Sequence, residues 1–121
     1  MLTLLEVRKV LNATCVTGHS LDVIVVKTAC GADLMSDVLS HDKEKTILLT
    51  GLIHPQVIRT ATIIDIVCVV FVRGKVPDQD IIDLAEKNNI PILCTRYPLY
   101  EACGLLYNAG LGVISDEPSR Y

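Results

Sequence analysis

Arg73, Lys75 and Arg96 are set in a chain with a formal charge of −3, and each stands just past the end of an apolar run. Arg73-Gly74-Lys75 follows Val67–Val72, and Thr95-Arg96-Tyr97 follows Ile90–Leu93. Guanidinium and ammonium groups beside glycine and threonine suit the chemistry of anion capture, from phosphate to carboxylate. Thr50, Gly51 and His54 follow a third run, Ile47–Leu49, and Thr28, Cys30 and Gly31 follow a fourth, Val23–Val26. If the four runs are neighbouring strands, these twelve residues form one candidate binding edge for a nucleotide, phosphate or carboxylate. The competing reading is that they are solvated loop residues closing a stable fold.

Other chemistry finds less support. A nucleophilic pair needs Cys30 or Ser36 beside His54, but no glycine elbow marks either. His54 precedes Pro55, where the helix-cap reading is favoured over a ligand-binding imidazole. His19 and His41 lie in turns without nearby partners, so no metal site and no cofactor is expected. Glu101 is placed to act as an acid or base, yet nothing pairs with it in sequence. The five cysteines (15, 30, 68, 94 and 103) form no CxxC, and an odd count argues against a disulfide framework. Cys68 reads as a small buried hydrophobe, Cys94 and Cys103 as core, and Cys30 as a loop thiol.

The elements that must position the edge follow from periodicity. Each apolar run has strand length and leads into an amphipathic stretch, which predicts an α/β domain with a largely parallel sheet flanked by helices. A short N-terminal helix carries Leu4, Val7 and Leu11 on one face. Thr14–Thr17 and Asp22–Lys27, joined by Gly18-His19-Ser20, read as a hairpin. Asp33 is the expected N-cap of a helix burying Leu34, Met35, Val38 and Leu39, and His41 to Lys45 a charged turn. Pro55, Asp78 and Pro98 open three further helices, while Asn12, Asn88-Asn89 and Gly110 suit helix ends.

At 121 residues the chain makes one domain, expected over 1–114 with a polar tail over 115–121. Half of it is hydrophobic, with one Phe, four Tyr and no Trp, so the core is aliphatic, as a parallel sheet covered on both faces requires. So apolar a composition points to a homodimer, with the first helix and the helix from Leu99 to Ala109 as contact surfaces. The acidic balance excludes a nucleic-acid footprint. No apolar stretch reaches membrane-spanning length, and Glu6, Arg8 and Lys9 interrupt any leader pattern, so a cytoplasmic location is expected.

The segments ADLMSDVLSH, ILLTGLIHPQVIRTA, VVFVRGKVPDQDIIDLAEKNNIPILCTRY and LYEACGLLYNAGL, in this order, resemble the DRTGG domain family over Cys30 to Gly110, about two-thirds of the chain. The resemblance implies a small α/β domain found alone or fused to CBS-domain pyrophosphatases and phosphate acetyltransferases, related in fold to the N-terminal domain of HPr kinase/phosphorylase. It implies a non-catalytic regulatory or assembly module, often contributing a dimer interface, with a redox or metabolic enzyme as its protein partner. Two departures accompany it: Gly51, Leu52 and Ile53 stand where fused relatives carry Gly-Asp-Arg, and Val72, Arg73 and Gly74 where they carry Thr-Gly-Gly. The function expected is therefore a regulatory domain sensing a small anion or nucleotide at the edge; the alternative is a small enzyme using the same edge.

Overall fold

A computed structural model describes residues 1–40 and 44–111. In chain order the elements are β1 (Leu2–Thr3), α1 (Leu4–Val10), β2 (Thr14–Cys15), β3 (Val25–Val26), β4 (Thr28–Gly31), α2 (Met35–Leu39), β5 (Thr46–Thr50), α3 (Pro55–Ile63), β6 (Cys68–Phe71), α4 (Gln79–Lys87), β7 (Ile92–Cys94) and α5 (Leu99–Asn108). The five-stranded sheet has the order β2-β7-β6-β5-β4, with β4 to β7 parallel and β2 antiparallel to β7. No helix among the described residues is long and apolar enough to cross a membrane.

Both sheet faces are covered. Ile47, Leu49, Cys68, Val70 and Leu93 point to one side, against Leu4, Val7 and Leu11 of the first helical segment and Ala102 and Leu106 of α5. Leu48, Val69, Phe71 and Ile92 point to the other, against α2, α3 and α4 through residues such as Val38, Val57, Ala61 and Ile81. This period-2 division of consecutive apolar residues is what a parallel sheet between two helical layers requires.

Helix ends follow local chemistry. Thr3 and Glu6 form a capping box on α1, Asp78 Oδ1 accepts the Ile81 amide at α4, and Pro98 is the N-cap residue of α5. Asn12, Asp65, Asn89 and Gly110 all have positive φ, and the residue after each donates back five positions, from Ala13 to Arg8, Ile66 to Ala61, Ile90 to Ala85 and Leu111 to Leu106. One C-terminal motif thus ends four helices, at asparagines, an aspartate and a glycine that tolerate left-handed backbone.

Four expectations are corrected. The hairpin does not form: β2 pairs with β7 and β3 with β1, because the Thr17 hydroxyl accepts the Ile92 amide and the Gly18 amide donates to Glu86, holding this segment against β7 and α4. Val23–Val26 is not a strand of the main sheet; Val23 is exposed, and the fourth parallel strand is Thr28–Gly31, whose Ala and Gly at a half-covered edge carry little hydrophobic signal. Asp33 does not cap α2, whose N-cap is Leu34, and of the four expected inward residues Leu34 and Leu39 are exposed. β7 starts at Ile92 rather than Ile90, after Pro91, which has no amide to give the sheet. His41 to Lys43 of the charged turn and the tail 115–121 lie outside the described residues.

Candidate functional site

The carboxyl ends of β4 to β7 lie along one edge of the sheet, as parallel strands must. The loops after β4, β5 and β6 turn to the face of α2, α3 and α4, but the loop after β7 turns to the opposite face and enters α5. Adjacent loops that diverge to opposite faces open a crevice between their strands, the usual place for a ligand in an α/β sheet. Here it falls between β6 and β7, where Arg73, Gly74 and Lys75 meet Thr95, Arg96 and Tyr97.

The two loops are tied together. The Arg73 amide donates to the Tyr97 carbonyl at 2.8 Å and the Gly74 amide to the Thr95 carbonyl at 2.9 Å. Arg73 and Gly74 both have positive φ, 66° and 72°, and the Lys75 amide returns to the Val72 carbonyl at 3.3 Å, a tight turn whose second central position suits Gly74. For Arg73 that conformation costs about 1–2 kcal/mol. With these three amides engaged, the turn presents side-chain charge rather than a ring of free N–H groups.

Two buried threonines shape the strand ends in the same way. Thr50 Oγ accepts the Leu52 amide at 3.1 Å, and Thr95 Oγ accepts the Tyr97 amide at 3.3 Å. Thr95 also donates to the Leu11 carbonyl at 2.7 Å, fixing the β7 exit to the end of α1. A groove of about 350 Å³ runs along one side of this exit, lined by Val16, Gly74, Val76, Cys94 and Arg96 among others. A smaller hollow of about 140 Å³, with Leu11, Tyr97 and Pro98, lies on the other side, and Arg96 lines both.

The remaining candidates are distributed as follows. Gly51 is held from two sides: its amide donates to Asp33 Oδ1 at 2.7 Å, and its carbonyl accepts from Lys75 Nζ at 2.8 Å. Lys75 is therefore partly engaged, whereas Arg73 and Arg96 are exposed. His54 is the N-cap of α3, its Nδ1 accepting the Gln56 amide at 3.0 Å. Gly31 ends β4, packed so close to Cys103 that a Cβ there would lie 2.7 Å from its sulfur. Thr28 is at the opposite end of β4, hydrogen-bonded to Thr46, and Cys30 is within the strand rather than in a loop. Neither Thr28 nor Cys30 reaches the crevice.

Asp33 is the edge residue that sequence reasoning assigned elsewhere. Its type and position before a helix signal a cap equally well, and only the neighbouring β5 shows that it accepts from Thr50 Oγ and Gly51 instead. The edge is thus electrically divided, with a carboxylate at β4–β5 and cations at β6–β7.

Burial raises the thiols of Cys30 and Cys103, with the Asp37 charge adding to the first and Cys30 to the second. Cys94 in the groove is pushed up to about 11, mainly by burial and then by Cys15. These sulfurs are held protonated at neutral pH, which does not suit a thiolate nucleophile. Cys94 and Cys103 are partly rather than fully buried, and Cys68 is fully buried. Among the described residues no His, Cys, Asp and Glu group has the arrangement of a metal site.

The family model of the DRTGG domain matches residues 6–109, extending the resemblance back from Cys30 into α1. Among solved structures, the chain is similar to the CBS and DRTGG domains of the regulatory region of Clostridium perfringens pyrophosphatase, complexed with the activator diadenosine tetraphosphate. The TM-score is 0.71 at 21% identity, covering 86% of this chain and 45% of that one. The chain therefore spans less than half the length of that neighbour, and the likeness is one of fold. No curated protein matches the chain.

Proposed function

The chain belongs to the DRTGG domain family, and on that premise we propose that it is a non-catalytic regulatory domain, acting as a homodimer, whose β6–β7 crevice binds an anionic ligand of the nucleotide class. The observation that carries this reading is the joining of Arg73 and Arg96 across the crevice by the Arg73–Tyr97 and Gly74–Thr95 backbone hydrogen bonds. The loops that carry these two exposed guanidiniums are braced against each other, and a guanidinium fork suits phosphate. The adjoining groove supplies what a bare phosphate would not need: an apolar wall of Val16, Val76 and Cys94 beside Arg96. An amphipathic ligand with a flat apolar ring and a phosphate chain fits that combination. In the Clostridium perfringens regulatory region the activator is a dinucleoside tetraphosphate, which is the same chemistry.

The test is a thermal-shift and calorimetric screen with inorganic phosphate, AMP, ATP and diadenosine tetraphosphate. A nucleotide at about 100 times its Kd should stabilise the domain by about 2.7 kcal/mol, and phosphate alone should bind far more weakly. A panel in which no nucleotide shifts the melting temperature refutes the ligand-binding reading.

A further inference from the structure

We propose that the hollow between the C-terminal ends of α3 and α4 is a second binding site, one that takes a primary alkylammonium group. It lies where β6 and β7 begin, at the sheet edge opposite the crevice, and has a volume of about 300 Å³. Its polar lining is Thr62, Asp65, Asn88 and Asn89. The site is independent of the nucleotide crevice at the other end of the same two strands.

The donors of this lining are already committed. Thr62 Oγ donates to the Ile58 carbonyl at 2.8 Å, and Asn88 Nδ2 donates to the Leu84 carbonyl at 2.9 Å, each four residues back along its own helix. What these two side chains still offer is oxygen, a hydroxyl lone pair and an amide carbonyl. Asp65 adds a carboxylate, the one formal charge in the lining.

The backbone acts in the same direction. α3 and α4 are successive crossovers of one parallel sheet, so they run the same way and end side by side. Each C-terminus carries roughly half a negative elementary charge. The turns that follow are copies of each other: Asp65 and Asn89 have φ of 55° and 61°, and Ile66 and Ile90 donate to the Ala61 and Ala85 carbonyls, both at 2.9 Å. Two negative helix ends, a carboxylate and side-chain oxygens select a group that donates and does not accept. An ammonium, with three N–H donors and no lone pair, is that group.

The rest of the lining is hydrocarbon, including the buried Ala61, Ile66, Ile90 and Pro91. A hard metal ion matches this less well, since Ca²⁺ takes about six to eight oxygen ligands. An alkyl stem covers the apolar wall while its charged head meets the oxygens, as lysine does on protein surfaces. A free polyamine and the lysine side chain of a partner protein both carry this chemistry.

Calorimetric titration of the full chain tests the site. n-Butylammonium should bind, and butyltrimethylammonium, the same stem without N–H, at least tenfold more weakly. Whichever of spermidine and Nα-acetyl-lysine methylamide binds more tightly assigns the source to a free polyamine or to a protein side chain. Asp65→Asn should weaken binding at least fivefold and leave the fold intact, because asparagine takes the same backbone at position 89. Asn89→Asp should tighten binding at least threefold. Asp83→Asn, removing an exposed carboxylate of α4 outside the hollow, should leave it unchanged. Equal losses from Asp65→Asn and Asp83→Asn would reduce the effect to net charge and overturn the site. Equal binding of the two butyl probes would overturn it too, as would no binding by any amine, the result expected if the chain's own residues fill the hollow.

Discussion

Asp33 and Gly51, 18 residues apart in sequence, are joined by a hydrogen bond of 2.7 Å from the Gly51 amide to the Asp33 carboxylate. The same oxygen accepts from Thr50 Oγ at 3.1 Å, so one side chain ties the end of β4 to the end of β5. Asp33→Ala leaves the buried Thr50 hydroxyl without its acceptor and should cost about 1–3 kcal/mol, read as a loss in urea denaturation. Asp33→Asn keeps an acceptor oxygen and should cost less, while removing a negative charge from the same sheet edge and so tightening nucleotide binding. Equal losses from both variants would show that the charge, not the acceptor, holds the turn.

Arg73 separates binding from stability. Arg73→Ala should weaken nucleotide binding by about 1.5–3 kcal/mol, the range for a hydrogen bond to a charged group, and leave the fold intact. Arg73→Gly should weaken binding as much but raise stability by about 1 kcal/mol, because glycine adopts the positive φ of 66° without the steric cost. Calorimetric titration and thermal melts on the same two proteins check both statements. Unchanged affinity in either variant would remove the crevice as the binding site.

Thr60 Oγ in α3 is a buried hydroxyl without a hydrogen-bond partner among the described residues. Thr60→Val keeps the shape and removes a desolvated polar atom, so it should stabilise the domain by about 1–2 kcal/mol. A destabilised Val variant, by chemical denaturation, would mean that the hydroxyl has a partner in solution.

Ala61 is fully buried where α3 meets the sheet. Ala61→Asp places an unpaired carboxylate in that layer and should cost at least about 3 kcal/mol. A soluble variant with a native melting transition would contradict the packing of α3.

The buried thiols set an alkaline limit. Cys68 is pushed well above its ordinary value of 9.0, and Cys94 to about 11, in both cases chiefly by burial. The folded chain therefore retains protons that the unfolded chain releases, so this contribution is complete below about pH 9 and is lost as pH rises toward 11. Denaturation series from pH 8 to 11 should show a shallower decline for Cys94→Ala than for the wild type. Parallel curves would indicate that Cys94 is solvated.

Much of the architecture was legible from local pattern. The runs at Ile47, Val67 and Ile90 became β5, β6 and β7 because buried parallel strands are continuous apolar segments. Pro55, Asp78, Asn89 and Gly110 marked helix boundaries because capping is chemistry between near neighbours. The cations after β6 and β7 could be named because strand ends follow from the strands themselves.

Contacts across the chain were not available to that reading. Thr28–Gly31 is a strand because β5 lies alongside it, and Thr14-Cys15 pairs with β7 rather than with its sequence neighbour. The crevice exists because one helix, α5, leaves for the opposite face, a choice made by the packing of Ala102 and Leu106 against α1 and the sheet. Residue type and spacing specified which groups were present and which short segments would form. Which loops diverge and which carboxylate reaches which amide were decided by burial between distant segments, whose free energy exists only once the layers meet.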